Sequence, residues 1–317
     1  MSTDTTQRRW MGDTGQPVSL QSTRSRTGER IIVGLLWLCG AISILTTVGL
    51  ILVLFIDASA FFREVSVFQF FTDTRWQPFG GLENGHFGVL PLLMGTLLVT
   101  AIAIVVAVPL GISSAIYLAD YAPRRVRKVL KPTLEILAGV PTIVLGFFAA
   151  TFMTPVLRAI FGQTVDIYNA ASAGIVMGIM IVPTIASLSE DAMSAVPRGL
   201  RESAYGLGAT KRHVATRVVF PAALSGIVAA VILGIGRAIG ETMIVAIAAG
   251  NQPSLTFNPF SQIQTMTAYI VQAVGGEAPR GSLTYQSIFA IGALLFLMTF
   301  TLNFIAARVV RRFREVY

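Results

Sequence analysis

Charge is scarce in this sequence. Asp, Glu, Lys and Arg make up 13% of the 317 residues, where a soluble domain carries about 25%. A chain this long could build one large aqueous core, yet 54% of it is hydrophobic, and several windows exceed the roughly 18 apolar residues that mark a membrane helix. The shortage excludes an ordinary soluble domain and points to an integral membrane protein in contact with the lipid bilayer. The one cysteine, Cys39, lies in the first apolar run and excludes an internal disulfide framework. The two histidines, His86 and His213, have no Cys or His companion at ligand spacing, which argues against a zinc site; no metal and no cofactor is expected. No GxxxxGK[ST] loop occurs, so ATP hydrolysis is not expected of this chain, and no nucleophile–base–orienter constellation supports an intramembrane enzyme.

The apolar residues fall into six segments, at about 31–56, 88–118, 136–157, 170–189, 222–250 and 285–307. The second is too long for one straight span, and Pro109 predicts a kink or a continuation past the membrane. Residues 1–30 are rich in Ser, Thr, Gln, Gly and Arg and read as a polar, mobile tail. Ala58-Ser-Ala60 resembles a signal-peptidase site, but the run before it far exceeds a signal peptide's apolar region of about 7–15 residues. It reads as a retained membrane helix.

The net charge of +8 could serve a nucleic acid or a topology, and the positions of the basic residues decide. Nineteen of the 24 lie in the tail, in the second-to-third connection (Arg124, Arg125, Arg127, Lys128, Lys131), in the fourth-to-fifth connection (Arg198, Arg201, Lys211, Arg212, Arg217) and after the last span. Only Arg63, Arg75, Arg158 and Arg280 fall on the other side. The bias places both termini in the cytoplasm and leaves nucleic-acid binding without support.

The remaining basic residue, Arg237, sits in GIGRAIGE, midway through the fifth segment, with Glu241 four residues on. A charge at mid-membrane costs about 2.5–3.5 kcal/mol even on the lenient insertion scale, so such a residue faces a partner or a watery path. On one reading the two neutralise each other at i, i+4 on one helix. On the other they line a solute's route: an arginine fork suits a tetrahedral oxyanion, and a neighbouring glutamate can compete for the fork and release it. Gly236 and Gly240 form a GxxxG that predicts close helix packing; with Gly234 the spacing is GxGxxxG, and no strand precedes it, so no nucleotide loop is implied.

Between the fourth and fifth segments runs Glu202-Ser-Ala-Tyr-Gly-Leu-Gly208, and twelve residues on comes Phe220-Pro221. The residues predict a short helix, a sharp turn at Gly208 and a second helix ended by Pro221, a protruding elbow. This stretch resembles the EAA loop of ABC importer permeases. Glu202, Ala204 and Gly208 match, Val218 holds the aliphatic position and Pro221 closes the pattern, while Ser203 and Phe220 depart mildly from it. With Trp76-Gln-Pro-Phe-Gly80, Pro109-Leu-Gly-Ile-Ser-Ser, Glu135-Ile-Leu-Ala-Gly-Val-Pro-Thr and GRAIGETM, the chain from about residue 31 onward resembles the permease family of phosphate ABC importers. The resemblance implies an all-α integral membrane protein with six transmembrane helices, in the MetI-like fold of type I importer permeases. It implies one permease domain over 31–317, with an external loop 57–87 and a cytoplasmic ATPase-coupling loop 190–221. It implies partners as well: a sister permease, PstA, a dimer of the ATPase PstB and an external phosphate-binding protein, PstS. The residues alone leave open an importer of another oxyanion or small solute. A stand-alone channel or secondary transporter is opposed by the loop and by the lack of evident inverted repeats.

Overall fold

The computed structural model describes residues 27–80 and 85–313. Most of the expected tail therefore lies outside the described residues, and its last four residues already belong to α1 (Thr27–Glu64). After α1 come α2 (Val67–Thr72) and a two-residue hairpin, β1 (Trp76–Gln77) with β2 (His86–Phe87), pairing Trp76 with Phe87 antiparallel. Then follow α3 (Leu90–Tyr121), α4 (Arg124–Ala138), α5 (Thr142–Thr164) and α6 (Ala170–Ser194). The chain continues through α7 (Arg198–Gly206), α8 (Lys211–Ala222), α9 (Leu224–Gly240), α10 (Met243–Ala248), α11 (Met266–Gln272) and α12 (Leu283–Phe313).

Five of these helices, α1, α3, α5, α6 and α12, are long and apolar enough to cross a membrane; the pair α8 and α9, at 71° to one another, passes the same test when taken together, which makes up to six. Residues 27–52, the first of two compact units, expose large apolar side chains all round, Leu36 at 67% and Trp37 at 74%. Lipid makes that arrangement stable where water would not.

In the second unit, from Val53 onward, α3 and α6 form the centre. A Cβ on Gly174 would stand 2.7 Å from Ile102, one on Gly178 2.8 Å from the Ala103 carbonyl, and one on Gly111 2.8 Å from Ile185. Rising positions on one helix meet rising positions on the other, so the two run parallel, with small residues bringing the backbones together. α9 runs the other way: Gly226 meets Ala192, and Gly234 meets Ile181 and Ile185 at 3.1 Å.

This order defines two ends. At the hairpin end, α3 begins beside β2, Asn169 caps α6 by accepting from Ser172 N at 2.7 Å, and the Thr284 hydroxyl at the start of α12 donates to the Pro78 carbonyl at 2.6 Å. At the basic end lie α4, α7, α8 and the close of α12. Within this unit the described basic residues other than Arg237 therefore divide between the ends as the spans predict, with Arg63, Arg75, Arg158 and Arg280 at the hairpin end. Pro109 does not end α3, which continues to a final π-turn at Tyr117–Tyr121 before stopping ahead of Pro123. Its 32 residues rise about 48 Å at ~1.5 Å each, well beyond the hydrocarbon core.

Several boundaries differ from expectation, beginning with α1, which runs to Glu64 rather than 56 and takes in the first residues of the expected external loop. The third span begins at Thr142 rather than at 136, because Gly139-Val140-Pro141 separates it from the amphipathic α4; a residue before proline is driven out of the helical region. The fifth apolar run is no single helix. It stops at Gly240, passes through an extended Glu241 (φ −65°, ψ 137°) and restarts as α10.

Candidate functional site

Arg237, near the end of α9, is half-buried. Its Nη1 donates to Thr184 Oγ1 of α6 at 2.9 Å and its Nη2 to the Ala138 carbonyl that closes α4 at 3.4 Å. Thr184 is fourteen residues into α6, about 21 Å of rise from Ala170, so the guanidinium sits between the two ends of the bundle. A helix C-terminus carries partial negative charge and stabilises a cation there. Five N–H donors in a rigid fork leave three beyond these two bonds.

Glu241 takes no part in that arrangement. Its Oε1 accepts from the backbone N–H of Met243 at 3.0 Å and of Ile244 at 3.3 Å, satisfying donors at the start of α10. Its carbonyl accepts from the Thr267 hydroxyl at 2.7 Å. The expected i, i+4 neighbours are thus parted by the helix break, and among the described residues they form no ion pair. Breaking the helix there turns the carboxylate from a side-by-side partner into a cap for buried N–H groups.

The GxxxG residues also depart from expectation. A Cβ on Gly240 would meet nothing within 4 Å, and one on Gly236 only Leu302 at 3.9 Å. Within this chain the close approach of α9 is made by Gly234 and Gly226, because it is their face that turns to α6.

At the basic end the elbow takes the expected form. α7 ends at Gly206, the Gly208 N–H donates to the Tyr205 carbonyl at 2.9 Å, and Gly208 adopts φ +80°, where side chains with a Cβ are strained. Thr210 caps α8 by accepting from His213 N at 3.3 Å. Pro221 lies inside the last turn of α8, two residues ahead of the bend at Ala223, rather than ending the helix itself. Glu202 and Ser203 are exposed, and Leu207 at the tip is 90% exposed. Ala204 and Ala209 pack beneath, on a cluster with Met193, Val214 and Val219.

Two groups of charges found here were not singled out from the sequence. Arg201 of α7 pairs with Asp120 in the last turn of α3, and its Nη2 donates to the Met193 carbonyl at 2.7 Å; the Lys211 ammonium sits over the Tyr121 ring at 5.1 Å. These contacts tie the elbow to α3 and α6. Alongside, Glu190 of α6 is fully buried and is paired by both Arg127 and Lys131 of α4, the latter at 2.7 Å, with Ser194 donating to it at 2.7 Å. Lys131 also pairs with Asp191. Burial pushes the Lys131 ammonium down, but its hydrogen bonds to Asp191 and Glu190 outweigh that and hold its pKa above the ordinary value. The signal was present in Arg127 and Lys131, four apart on one helical face, and in a Glu-Asp pair closing an apolar run.

Residues 107–315 match the family described as "Binding-protein-dependent transport system inner membrane component". The chain is 35% identical over 264 residues to the probable ABC transporter permease protein YqgH of Bacillus subtilis, covering 83% of this chain and 84% of that one. It is also 35% identical over 264 residues to the phosphate transport system permease protein PstC of Mesorhizobium japonicum, covering 77% and 79%. Among solved structures, the MetNI methionine ABC transporter aligns with a TM-score of 0.53 at 20% identity, over 72% of this chain and 95% of that one. At that identity the likeness speaks to fold alone, which is the MetI-like fold of ABC importer permeases.

Proposed function

The chain belongs to the family of inner membrane components of binding-protein-dependent transport systems, and from that premise we propose that it is the transmembrane permease subunit of an ATP-driven importer of inorganic phosphate. The observation that carries the substrate is the likeness to the PstC permeases over most of the chain; Arg237, a planar cationic fork with donors to spare between the two ends of the bundle, supports it. In this reading the chain forms half of the path beside a sister permease, PstA. A PstB dimer hydrolyses ATP, and PstS delivers the anion from outside. The protein resides in the bacterial plasma membrane with both termini cytoplasmic, so the hairpin end faces out and the elbow faces the ATPase.

Each group then has a physical task. Glu202, Ser203, Ala204, Gly208 and Pro221 shape the elbow that receives the ATPase. Arg201 and Lys211, gripping the end of α3, pass its displacement to α3 and α6. Arg237 offers its unused N–H groups to the anion. Glu241 fixes the break between α9 and α10, and to compete for the Arg237 fork its carboxylate must release two backbone N–H groups. Gly240, which meets nothing in this chain, suits the side turned to the sister permease, while Gly236 lies towards Leu302 of α12.

Radiolabelled phosphate uptake in cells deleted for this chain tests the reading, with sulfate and molybdate as competitors. Uptake is expected to vanish on deletion, to return with the restored gene, and to resist both competitors. Unchanged uptake in the deletion strain, or competition by sulfate equal to that by unlabelled phosphate, refutes it.

A further inference from the structure

A cavity of about 590 Å³ opens at the hairpin end, between β1 with its following turn and the irregular segment 249–265. Arg75 and the amides of Gln77, Asn251, Gln252, Gln264 and Gln272 supply most of its polar lining, Gln264 donating to Gln272 Oε1 at 2.6 Å, with Trp76 among the walls. No carboxylate lines it among the described residues, and Arg75 is its one charged group. Asp73, the nearest acid along the chain, is directed elsewhere, to His86 and to the Arg75 backbone N–H. Trp76 is 2% exposed, and its indole N–H finds no acceptor among the described protein groups. An indole nitrogen can only donate, so a buried one without a partner calls for an acceptor. A guanidinium and several primary amides, with the Trp76 ring in the wall, make a cationic lining rich in donors, which matches an anion with many oxygens.

The wall of this cavity also leads somewhere. The Gln264 backbone packs so tightly on α3 that a Cβ on Gly95 would lie 2.4 Å from its carbonyl oxygen. Three residues further on, Thr267 donates to the Glu241 carbonyl, at the break that follows the Arg237 helix.

We propose that this cavity is a second oxyanion site, one that holds a tetrahedral anion at the mouth of the path before it reaches Arg237. The direction of travel rests on the importer reading; binding itself does not. The test uses the assembled complex in vesicles, with 5-fluorotryptophan in this chain alone and the Trp76 resonance assigned by its loss in Trp76→Phe. Titrating inorganic phosphate is expected to shift that resonance saturably, and Arg75→Gln to abolish the shift. Arg75→Gln is also expected to raise the phosphate needed for half-maximal uptake about tenfold, in line with one lost charge-assisted hydrogen bond, and to change the maximal rate less than twofold. An unmoved resonance in a complex that transports phosphate overturns the site. So does a shift produced only by the external binding protein without anion, which makes the cavity a docking surface. If the complex takes up sulfate and not phosphate, and sulfate moves the resonance, the site stands and the phosphate reading falls.

Discussion

The two ends of the bundle are held together by different physics. At the hairpin end Phe61, Phe70, Trp76, Phe87 and Tyr269 interlock edge-on, with ring centroids 4.8 to 6.4 Å apart. Such pairs add about 0.5–1.5 kcal/mol each beyond their area, and the only ion pair recorded there among the described residues is His86 with Asp73. At the basic end Arg127, Lys131 and Arg201 clamp onto Glu190, Asp191 and Asp120, with little apolar packing of α4 or α7 beneath them. Aromatic packing is short-ranged and rigid, which suits a cup of fixed shape. The Lys131–Asp191 pair is partly exposed and separates at small cost. The buried Glu190 and Asp120 carboxylates hold α4 and α7 firmly, which suits an end that has to carry a partner's motion as a unit.

The coarsest way to break this comparison is to test whether the ends face opposite sides. Phe257→Cys, at an 80% exposed position of the 249–265 segment, should react with an impermeant thiol reagent added outside intact cells in which Cys39 is replaced. Leu207→Cys at the elbow tip should react only after lysis. The reverse pattern would invert the whole assignment. Next in size is Gly208→Val. A β-branched residue at φ +80° costs at least about 1–2 kcal/mol locally, so the chain should still insert while ATPase co-purification and transport are lost. Normal transport by that variant would detach the elbow from coupling.

Arg237→Lys keeps the charge but loses the fork, and uptake should fall about ten- to hundredfold at unchanged membrane abundance. Arg237→Gln should fall at least as far. The double variant Arg237→Gln, Glu241→Gln should not recover, since the two side chains have separate partners; full uptake in it would reduce both to scaffolding. Glu190→Gln leaves Arg127 without its carboxylate and Lys131 with Asp191 alone. It should lower stability by about 3 kcal/mol, the low end for a broken buried pair because Arg127 and Lys131 stay partly exposed, and it should loosen α4 without touching the hairpin. Protease sensitivity confined to α4 would show this.

The smallest effect separates the ends by pH. Lys131 has a raised pKa, so its contribution is complete below the unfolded value of about 10.5 and fades as pH rises through the folded one. Asp73 runs the other way: burial raises it, but hydrogen bonds from His86 and the Arg75 backbone win and lower it. Its contribution holds above 3.8 and fades as pH falls through the depressed value. Melting curves should therefore show Lys131→Met converging on the parent protein only in alkali, and Asp73→Asn only in acid. Convergence in the same pH range would erase the distinction.

The spans were legible because lipid imposes one requirement on every residue of a helix, and hydrophobicity records it directly. The elbow was legible because Gly208 and the Thr210 cap are local instructions. The break at Glu241 was not, although Gly240 is a common helix terminator, because the apolar run continues unbroken on either side of the polar residues. Nor were the partners of Arg237 and Glu190, since Thr184 and Lys131 lie 53 and 59 residues away. The spacing of Gly236 and Gly240 marks a face that can be approached; it does not say which helix comes, and here α6 meets Gly234 instead.

The parallel course of α3 and α6 has a consequence for biogenesis. Parallel neighbours cannot be joined by a tight turn, so α4 and α5 must be made in between, and 73 residues separate Tyr121 from Ser194. At about 5–20 residues per second that is a delay of roughly 4–15 s. Throughout it the glycine- and alanine-rich face of α3 has no partner from its own chain. The nascent protein has to be sheltered by the insertion machinery or by lipid until the fourth span arrives, and truncations ending before Ser194 should be the ones that quality-control proteases remove fastest.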